Sequence, residues 1–240
     1  NGDNGGASED LTPSENLSYE ISGNSYVLTG MGDCQDVEVV IPTTFEGKPV
    51  TSIGKYAFES NENIESITIP ASVTSIGDDA FSFCTELSEV NFLGTIDEWA
   101  QIDFATQFSN PLNCAGKLYI NGDLVTDAVL TTTTKISNYA FYYGTSLTSV
   151  TIPNTVTRIY AGAFANCYNI DENSVIADHL TQGGTPANSN DFKKIAFYTN
   201  RMPTWDSKIW NFINSNTYFS SIFSTLGVPC KCKYDRQFYN

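Results

Sequence analysis

Few side chains in this 240-residue chain could carry out catalysis, and their spacing matches none of the common catalytic arrangements. The chain has one histidine, His179. A Ser-His-Asp triad or a Cys-His dyad would need this residue, and no sequence motif identifies its catalytic partners. Acidic pairs occur at Asp78–Asp79 and Asp97–Glu98, but nothing identifies a glycosidase pair or a DxDxDG calcium loop. In so acidic a chain we expect these acids to be solvated. We therefore predict no catalytic residue, no metal site and no cofactor.

The six cysteines do not have the pattern of a disulfide framework. Cys84 and Cys167 each follow a phenylalanine by three residues in two copies of one motif, which predicts buried thiols that pack as small apolar groups. Cys230 and Cys232 form a CxC pair. We interpret that pair as a terminal disulfide or as free thiols rather than a metal site, because no histidine cluster accompanies it.

The strongest signal in the chain is an internal repeat. The motif VTSIGDDAFSFC at residues 73–84 recurs as VTSIGKYAF at 50–58 and as VTRIYAGAFANC at 156–167. Regular spacing of this kind is typical of a solenoid, in which each coil buries its apolar face only against its neighbours. Five phenylalanines follow the spacing, 23, 23, 37 and 23 residues apart: Phe58, Phe81, Phe104, Phe141 and Phe164.

Each regular unit predicts one strand followed by a buried turn. In the copy from Ile64 to Glu86, Ile67 and Ile69 give a short strand, which Pro70 ends because proline lacks a backbone donor. Phe81 then fills the core of the turn. Strands of successive coils should pair in parallel and form one curved sheet.

The chain is predicted to have four parts. Residues 1–16 are expected to form a flexible tether, and residues 17–36 a β-hairpin that caps the first coil. Residues 37–197 hold the repeats, with one expanded coil at 87–123. In residues 198–240 apolar residues recur at the spacing of two amphipathic helices, which are expected to cap the C-terminal end of the repeats.

Two further turns are predicted inside the repeat region. The stretch around Phe45–Lys48 is about five residues longer than its later equivalents, so it should protrude. In the expanded coil, Asn121–Gly122 separates two short apolar pairs, which is a strong signal for a β-hairpin.

Charge is unevenly distributed along the chain. The net charge is −15, with 21 acids against 3 lysines in residues 1–130 and 6 acids against 9 bases in residues 131–240. The acidic part would repel phosphates, so we expect no nucleic-acid binding. No run of apolar residues is long enough to span a bilayer. The Gly-, Asn- and Ser-rich residues 1–10 are typical of a chain trimmed after a secretion or lipoprotein signal, so membrane contact is expected only through a removed N-terminal anchor.

The repeat unit LxxIxIPxxVxxIGxxAFxxCxxL occurs here as IESITIPASVTSIGDDAFSFC and LTSVTIPNTVTRIYAGAFANC. It resembles the BspA-like leucine-rich repeats of bacterial surface antigens over about Val37–Ile170, with one looser unit reaching Phe197. The resemblance implies an α/β repeat fold, a leucine-rich-repeat solenoid with a parallel β-sheet on its concave side. It also implies an extracellular or cell-surface protein that binds extracellular or host proteins and carries no catalytic motif. We expect a monomer.

The candidate ligand-binding residues are the polar side chains that alternate with inward-facing ones on the predicted strands. They form a shallow, weakly acidic face, which suits a broad protein contact better than a small-molecule pocket. An ordinary solvated face has the same composition, so that alternative stays open. The predicted ligand-binding residues are Glu38, Ser66, Thr68, Glu89, Asn91, Ser149 and Thr151.

Aromatic residues form a second group of candidates, since aromatic side chains are enriched at binding hot spots. They are Trp99, Phe108, Tyr142, Tyr143 and Tyr168. Of these, Trp99 is interpreted as core of the expanded coil. The predicted function is non-catalytic protein recognition or adhesion, and two alternatives are a structural spacer and a glycan-binding module of the cell envelope.

Overall fold

The structure, a computed structural model, describes residues 11–153, 155–156, 158–170 and 175–177. The chain divides into two units, Asn1–Asn200 and Arg201–Asn240, and every described residue belongs to the first. Several predictions concern residues outside this description: residues 1–10, His179, Cys230, Cys232 and the helical cap at 198–240.

The described residues form short strands and a few very short helices. The strands are β1 Ser18–Ser22, β2 Ser25–Gly30, β3 Glu38–Val40, β4 Thr44–Phe45, β5 Lys48–Ile53, β6 Ser66–Pro70, β7 Ser75–Ile76, β8 Glu89–Leu93, β9 Asp103–Phe104, β10 Leu118–Ile120, β11 Asp123–Leu124, β12 Asp127–Val129, β13 Lys135–Ile136, β14 Ser149–Ile152, β15 Arg158–Ile159 and β16 Val175–Ala177. The helices are α1 Ile96–Trp99, the 3₁₀ turn Gln107–Ser109 and α2 Leu112–Ala115. None of the helices in this described part is long and apolar enough to cross a membrane.

Each regular repeat contributes two strands, one to each of two parallel ladders. β6 pairs with β3 and β8 in a five-stranded sheet of order β11–β10–β8–β6–β3, and β7 pairs with β5 and β9 in a sheet of order β1–β2–β5–β7–β9, with β4 beside β5. Parallel pairing between coils is confirmed, as for Ser66 with Glu89 and Ser52 with Ser75. The prediction of a single sheet was wrong. The sequence does not reveal the second ladder, because its strands β7 and β9 have only two residues each and are too short to show a period-two pattern.

Phenylalanines of the buried turns stack from coil to coil. The ring centroids of Phe58 and Phe81 are 5.0 Å apart, and those of Phe141 and Phe164 are 5.1 Å apart, with nearly parallel planes in both pairs. All four side chains are buried. Each coil therefore completes the core of its neighbour, as expected for a repeat array.

Buried thiols join the same coils by hydrogen bonds. Cys84 donates to the carbonyl oxygen of Phe58 at 3.1 Å, and Cys167 donates to that of Phe141 at 2.9 Å. Burial raises the pKa of Cys84 to about 12, so the thiol keeps the proton that it donates. The prediction that Cys84 and Cys167 are buried thiols is confirmed.

Phe104 does not belong to this phenylalanine stack. It lies in β9 opposite Ile76, so it occupies the isoleucine position of the motif. Its spacing of 23 residues from Phe81 is a coincidence that arises inside the expanded coil. The large core side chain of that coil is Trp99, whose ring centroid lies 5.5 Å from those of Phe92 and Phe104.

One exposed phenylalanine has a strained backbone. The equivalent turn residues Ser60, Phe83, Tyr143 and Asn166 all have φ between 57° and 63°, a left-handed region that asparagine tolerates better than aromatic residues do. Phe83 is 70% exposed, so its ring adds little packing. We expect Phe83→Asn to raise the free energy of unfolding by about 0.5–1 kcal/mol, measured by urea denaturation.

Phe83→Ala is the matched control for this prediction. Alanine removes the ring but adopts the left-handed conformation less readily than asparagine, so it should give no gain. If alanine stabilised the protein as much as asparagine, the backbone explanation would be wrong.

The N-terminal hairpin is present and is held by an aromatic contact. β1 and β2 pair in antiparallel fashion as predicted, and β2 pairs with β5. Between β4 and β5, Glu46 and Gly47 both have positive φ, the conformation of a type I′ turn. This turn brings the Phe45 ring to 4.1 Å from that of Tyr19 and to 5.0 Å from that of Tyr26. The turn at 45–48 therefore packs on the hairpin instead of protruding, because its aromatic residue finds apolar partners there.

The residues before β1 cover the edge of β3. Ser14 is buried; its amide donates to the carbonyl oxygen of Val40 at 2.9 Å, and its hydroxyl accepts from the amide of Val40 at 3.0 Å. Contrary to the prediction for residues 1–16, the chain around Ser14 is thus bound to the first coil.

The expanded coil at 87–123 interrupts both ladders. It contains α1, β9, the 3₁₀ turn and α2, and it ends in the hairpin β10–β11 that Asn121–Gly122 predicted. β11 ends the five-stranded sheet, and two further sheets, β12–β14–β16 and β13–β15, follow in the chain. We call the contact between residues 94–116 and 130–146 the seam.

A buried carboxylate replaces strand pairing at one point of the seam. Asp97 is 7% exposed. Its oxygens accept hydrogen bonds from the amides of Thr131, Thr132 and Thr133 and from the hydroxyl of Thr131, at 2.8–3.2 Å. The prediction that this acid is solvated was wrong, because four donors of the next coil take the place of water.

Two more buried side chains bind the next coil across the seam. The indole nitrogen of Trp99 donates to the carbonyl oxygen of Ala140 at 2.7 Å. The amide nitrogen of Asn110 donates to the same oxygen at 3.0 Å and to that of Tyr139 at 2.7 Å, while its Oδ1 accepts from the amide of Leu112 at 2.9 Å. These side-chain hydrogen bonds supplement isolated backbone ones across the seam, from the amide of Ser137 to the carbonyl oxygen of Ala100 at 2.8 Å and from the amide of Ser146 to that of Gly116 at 3.1 Å.

Candidate functional site

The outward side of the five-stranded sheet brings together five of the seven predicted ligand-binding residues. Ile67 and Ile69 are buried, so Ser66 and Thr68 point to the opposite side of β6. The pairing of β3, β6, β8 and β10 arranges the outward residues in two rows. We call this surface the strand face: its first row is Glu38, Ser66 and Glu89, and its second row is Val40, Thr68, Asn91 and Tyr119.

Two exposed glutamates flank Ser66 in the first row. Glu38 and Glu89 each pair with Ser66 from a neighbouring strand, so their Cα atoms are about 10 Å apart. Neither forms an ion pair, since the described residues contain a single one, between Lys55 and Asp78 at 3.4 Å. The first row therefore presents two carboxylates without a cation partner.

Thr68 occupies the middle of the second row and is less accessible than the sequence predicts. It is 7% exposed although its side chain points away from the core, because its neighbours in the row, Val40 and Asn91, cover it. Its hydroxyl forms no hydrogen bond within the described residues, but it is accessible to solvent, because the buried hydroxyls without a partner in this part of the chain are those of Tyr19 and Ser146. Thr68 is thus a nearly buried polar group between more exposed ones, and not a free surface contact.

Two residues of the strand face already have partners within the protein. The hydroxyl of Tyr119 donates to Glu89 Oε1 at 3.2 Å, and burial together with the Glu89 charge raises the pKa of Tyr119. The amide of Gly122 donates to Asn91 Oδ1 at 3.0 Å. Asn91 therefore binds the β10–β11 hairpin, and the second carboxylate oxygen of Glu89 has no hydrogen-bond partner among the described residues.

Ser149 and Thr151 lie on a different sheet from the other five predicted residues. They belong to β14, where they pair with Asp127 and Val129 of β12. The hydroxyl of Ser149 donates to the Asp127 carboxylate. The sequence could not separate them from the strand face, because the repeat pattern is the same on both sides of the seam.

Aromatic rings form a second surface at the turns of the coils that follow the expanded coil. The ring centroids are 5.8 Å apart for Tyr139 and Tyr142, 5.2 Å for Tyr142 and Tyr143, and 5.9 Å for Tyr143 and Tyr168. Each pair has edge-to-face geometry. Tyr168 is 48% exposed, and its hydroxyl donates to Asn166 at 2.9 Å. Trp99 is fully buried, which confirms its interpretation as core, whereas Phe108 is partly exposed. We call this series the tyrosine cluster: Tyr139, Tyr142, Tyr143 and Tyr168.

The acidic pairs that the sequence marks have local partners. Asp78 pairs with Lys55, whose ammonium also lies 4.6 Å from the centre of the Tyr56 ring. Asp79 accepts from the hydroxyl of Thr106 at 3.0 Å. Among the described residues, no three His, Cys, Asp or Glu side chains lie close enough to hold a metal ion. Asp78 and Asp79 therefore each make a local contact within the repeats.

Parallel ladders of 23-residue units define a leucine-rich-repeat protein. The family model for the BspA type leucine rich repeat region matches residues 34–112 and 120–217 in six copies. Because this match covers more than half of the chain, the protein belongs to the BspA-type leucine-rich-repeat family, and the resemblance seen in the sequence is confirmed.

Solved structures of bacterial leucine-rich-repeat proteins are similar in fold. A leucine rich repeat protein of T. pallidum is 20% identical, with 78% of this chain and 95% of that chain covered and a TM-score of 0.46. A leucine rich cell surface protein of Faecalibacterium prausnitzii is 21% identical, with 75% and 56% covered and a TM-score of 0.45. A leucine-rich repeat protein of Bacteroides capillosus is 23% identical, with 70% and 97% covered and a TM-score of 0.37. No curated protein sequence matches the chain.

Proposed function

We propose that this protein is a secreted or surface-tethered solenoid that recognises another protein, in adhesion to a host, a matrix or a neighbouring cell. In this proposal it acts as a monomer and carries out no catalysis. The observation that supports it is the strand face, on which polar side chains from three successive coils stand in register at the spacing of the strands. A surface of this kind offers many shallow contacts and suits the broad footprint of a protein partner.

The proposal predicts that a bulky neutral side chain at the centre of the first row blocks binding. Immobilised extracellular-matrix proteins would be screened for binding to the wild type, and each hit would be titrated with Ser66→Tyr. We expect at least about a tenfold loss of affinity, because one poorly placed ring separates the two surfaces. Circular dichroism would verify that the variant is folded.

Thr74→Tyr is the matched control, since Thr74 is exposed and lies just before β7, in the other ladder. It should change the affinity less than twofold. Equal losses in both variants would contradict a role of the strand face, and a wild type that binds no protein in the screen would favour the structural spacer instead.

The tyrosine cluster favours glycan binding as a second candidate function. Aromatic rings can stack against the apolar faces of sugars, and the side chain of Asn166 lies beside them as a hydrogen-bonding group. A glycan array would test this candidate. Binding that is lost in Tyr168→Ala but retained in Ser66→Tyr would assign glycans to the tyrosine cluster, and an array without signal would exclude them.

A further inference from the structure

Backbone hydrogen bonds between the buried turns of successive coils run from amides of the earlier coil to carbonyl oxygens of the later one. Donors two residues apart meet acceptors two residues apart, at 2.7–3.0 Å. Each turn therefore directs a row of carbonyl oxygens at the coil before it. The donor–acceptor pairs are Tyr56 with Asp78, Phe58 with Ala80 and Ser60 with Ser82 in the first two turns, and Tyr139 with Ala161, Phe141 with Ala163 and Tyr143 with Ala165 beyond the expanded coil.

The first turn, which holds Phe58, lacks such a neighbour, because the N-terminal hairpin replaces the preceding coil only in part. β2 takes the place of the preceding strand, with Leu28 paired to Ile53. Five residues onward from this pair, Asp33 corresponds to Phe58, so its amide is the donor that the repeat pattern would direct at the first turn. This amide donates instead to the carbonyl oxygen of Asn16 at 3.1 Å. The first turn is thus left without a donor that later turns receive.

A cavity of about 410 Å³ lies beside the first turn, and its volume is within the range of ligand-binding clefts. We call it the first-turn groove: it is lined by Met31 and by residues 57–63. Ala57 is only 6% exposed, and within the described residues neither its carbonyl oxygen nor that of Glu59 accepts a backbone hydrogen bond. Both residues stand 23 positions before acceptors of the second turn. The first-turn groove therefore contains two acceptors, at the spacing of the repeat, that water or a partner must serve.

The donors that fit such a row are the amides of an extended backbone. In the repeats, N–H groups two residues apart serve carbonyl oxygens two residues apart. A peptide that adds to a free backbone edge binds through the same main-chain contacts. The first-turn groove thus favours a segment of polypeptide.

Charge selects the side chains of that segment. Glu59 and Glu62 line the groove, are exposed and form no ion pair, since the single ion pair of the described part joins Lys55 and Asp78. Carboxylates only accept hydrogen bonds, whereas lysine and arginine only donate them. We propose that the first-turn groove binds an extended, lysine- or arginine-containing segment of a partner protein, whose backbone amides donate to the carbonyl oxygens of Ala57 and Glu59. This second contact surface does not depend on the strand face.

The test uses the 15N-labelled full chain and an octapeptide of alternating threonine and lysine, in which threonine favours an extended backbone. In an NMR titration, the amide signals of residues 57–63 should shift and give a Kd. The same peptide N-methylated at every residue keeps its charges and loses its amide donors, so it should bind on the order of tenfold more weakly. Equal affinities of the two peptides would overturn the proposal, and so would a wild type that binds neither.

Asn63→Trp places a large ring in the groove from an exposed position and should also weaken binding on the order of tenfold. Thr74→Trp is the matched control, because Thr74 is exposed but does not line the groove, so the affinity should change less than twofold. Glu59→Gln combined with Glu62→Gln should weaken binding roughly threefold, as for exposed charge contacts. Equal losses in the two tryptophan variants, with both folded by circular dichroism, would overturn the proposal.

Two other occupants of the groove have results of their own. Peptide binding that requires deletion of residues 1–10 would assign the groove to that segment of this chain, and groove signals that shift with protein concentration alone would assign it to a second copy. Either result would overturn the proposal of a partner segment. Ser66→Tyr should leave the peptide affinity unchanged, so a failure of the strand face and a failure of the first-turn groove are separate results.

Discussion

Replacing Asp97 by asparagine is expected to lower the free energy of unfolding by about 2–3 kcal/mol, which is a sizeable part of the stability of a domain. The carboxylate accepts from three consecutive backbone amides and one hydroxyl at the seam. All three amides donate to Oδ1, so an asparagine that keeps its oxygen there retains them as weaker, neutral hydrogen bonds, while its NH2 group takes the place of Oδ2 and faces the hydroxyl and amide of Thr131. Urea denaturation followed by circular dichroism measures the loss.

Asp103→Asn is the control for the Asp97 prediction. Asp103 is an exposed acid of the same expanded coil, so its replacement should change the free energy of unfolding by less than about 0.5 kcal/mol. Similar losses in the two variants would mean that net charge, and not the contact of Asp97 with the threonines, determines the effect.

The dependence of this effect on pH gives a second measurement. Burial raises the pKa of Asp97, but the hydrogen bonds from Thr133, Thr131 and Thr132 lower it more, so the pKa in the folded protein lies below the ordinary value of 3.8. A group whose pKa is lowered by folding contributes stability above its unfolded pKa and loses it as the pH falls through the folded pKa. The stability difference between wild type and Asp97→Asn should therefore be constant near neutral pH and decrease below about pH 4. A difference that stays constant to pH 2 would contradict the ionised state of Asp97.

The regular coils could be predicted from the sequence because one side-chain pattern fixes each of them. Prolines after the strands, the buried phenylalanines and the matched cysteines occur at the same positions in several copies, and the structure confirms parallel pairing, ring stacking and buried thiols. The hairpin at Asn121–Gly122 was also predictable, because this dipeptide adopts the positive φ values that its turn requires.

The second ladder and the seam could not be predicted, for two physical reasons. Two-residue strands such as β7 and β9 leave no periodicity in the sequence, so the spacing of Phe104 does not reveal that this residue takes the isoleucine position of the motif. The contacts of Asp97 and Asn110 join residues more than 25 positions apart by hydrogen bonds from side chains, and such contacts do not repeat. One signal was available: Thr95 and Glu98 form a capping box that marks the start of α1, and this box places Asp97 in the first turn of a helix.

The seam determines how the two stretches of regular coils depend on each other. In a repeat array each unit is stabilised by its neighbours, so a weak boundary lets the two sides unfold separately. Here no strand ladder of the described residues crosses the boundary. Besides isolated backbone hydrogen bonds, the buried side chains of Asp97, Trp99 and Asn110 hold the two sides together. Substitutions at the seam should therefore reduce cooperativity as well as stability, which broadens the unfolding transition and lowers its m-value.

The coupling between Trp99 and Asn110 should be large, because their side chains donate to the same oxygen, the carbonyl of Ala140. Trp99→Phe alone is expected to lower the free energy of unfolding by about 1–2 kcal/mol. Asn110→Ala alone should lower it by about 2–4 kcal/mol, because the asparagine also forms hydrogen bonds with the carbonyl of Tyr139 and the amide of Leu112. In either single variant the Ala140 carbonyl keeps one donor. In the double variant it loses both, and a buried carbonyl without a donor adds its own penalty.

A double-mutant cycle measures this coupling directly. The double variant should be less stable than the sum of the single losses predicts, by about 1–2 kcal/mol, in urea denaturation at pH 7. Phe58→Leu combined with Trp99→Phe is the comparison, because Phe58 is buried in the first coils, outside the seam, so its loss should add to that of Trp99→Phe within about 0.5 kcal/mol. Additive losses for Trp99 and Asn110 would show that water or a rearranged backbone satisfies the Ala140 carbonyl, and the seam would then be held by packing rather than by the shared hydrogen bonds.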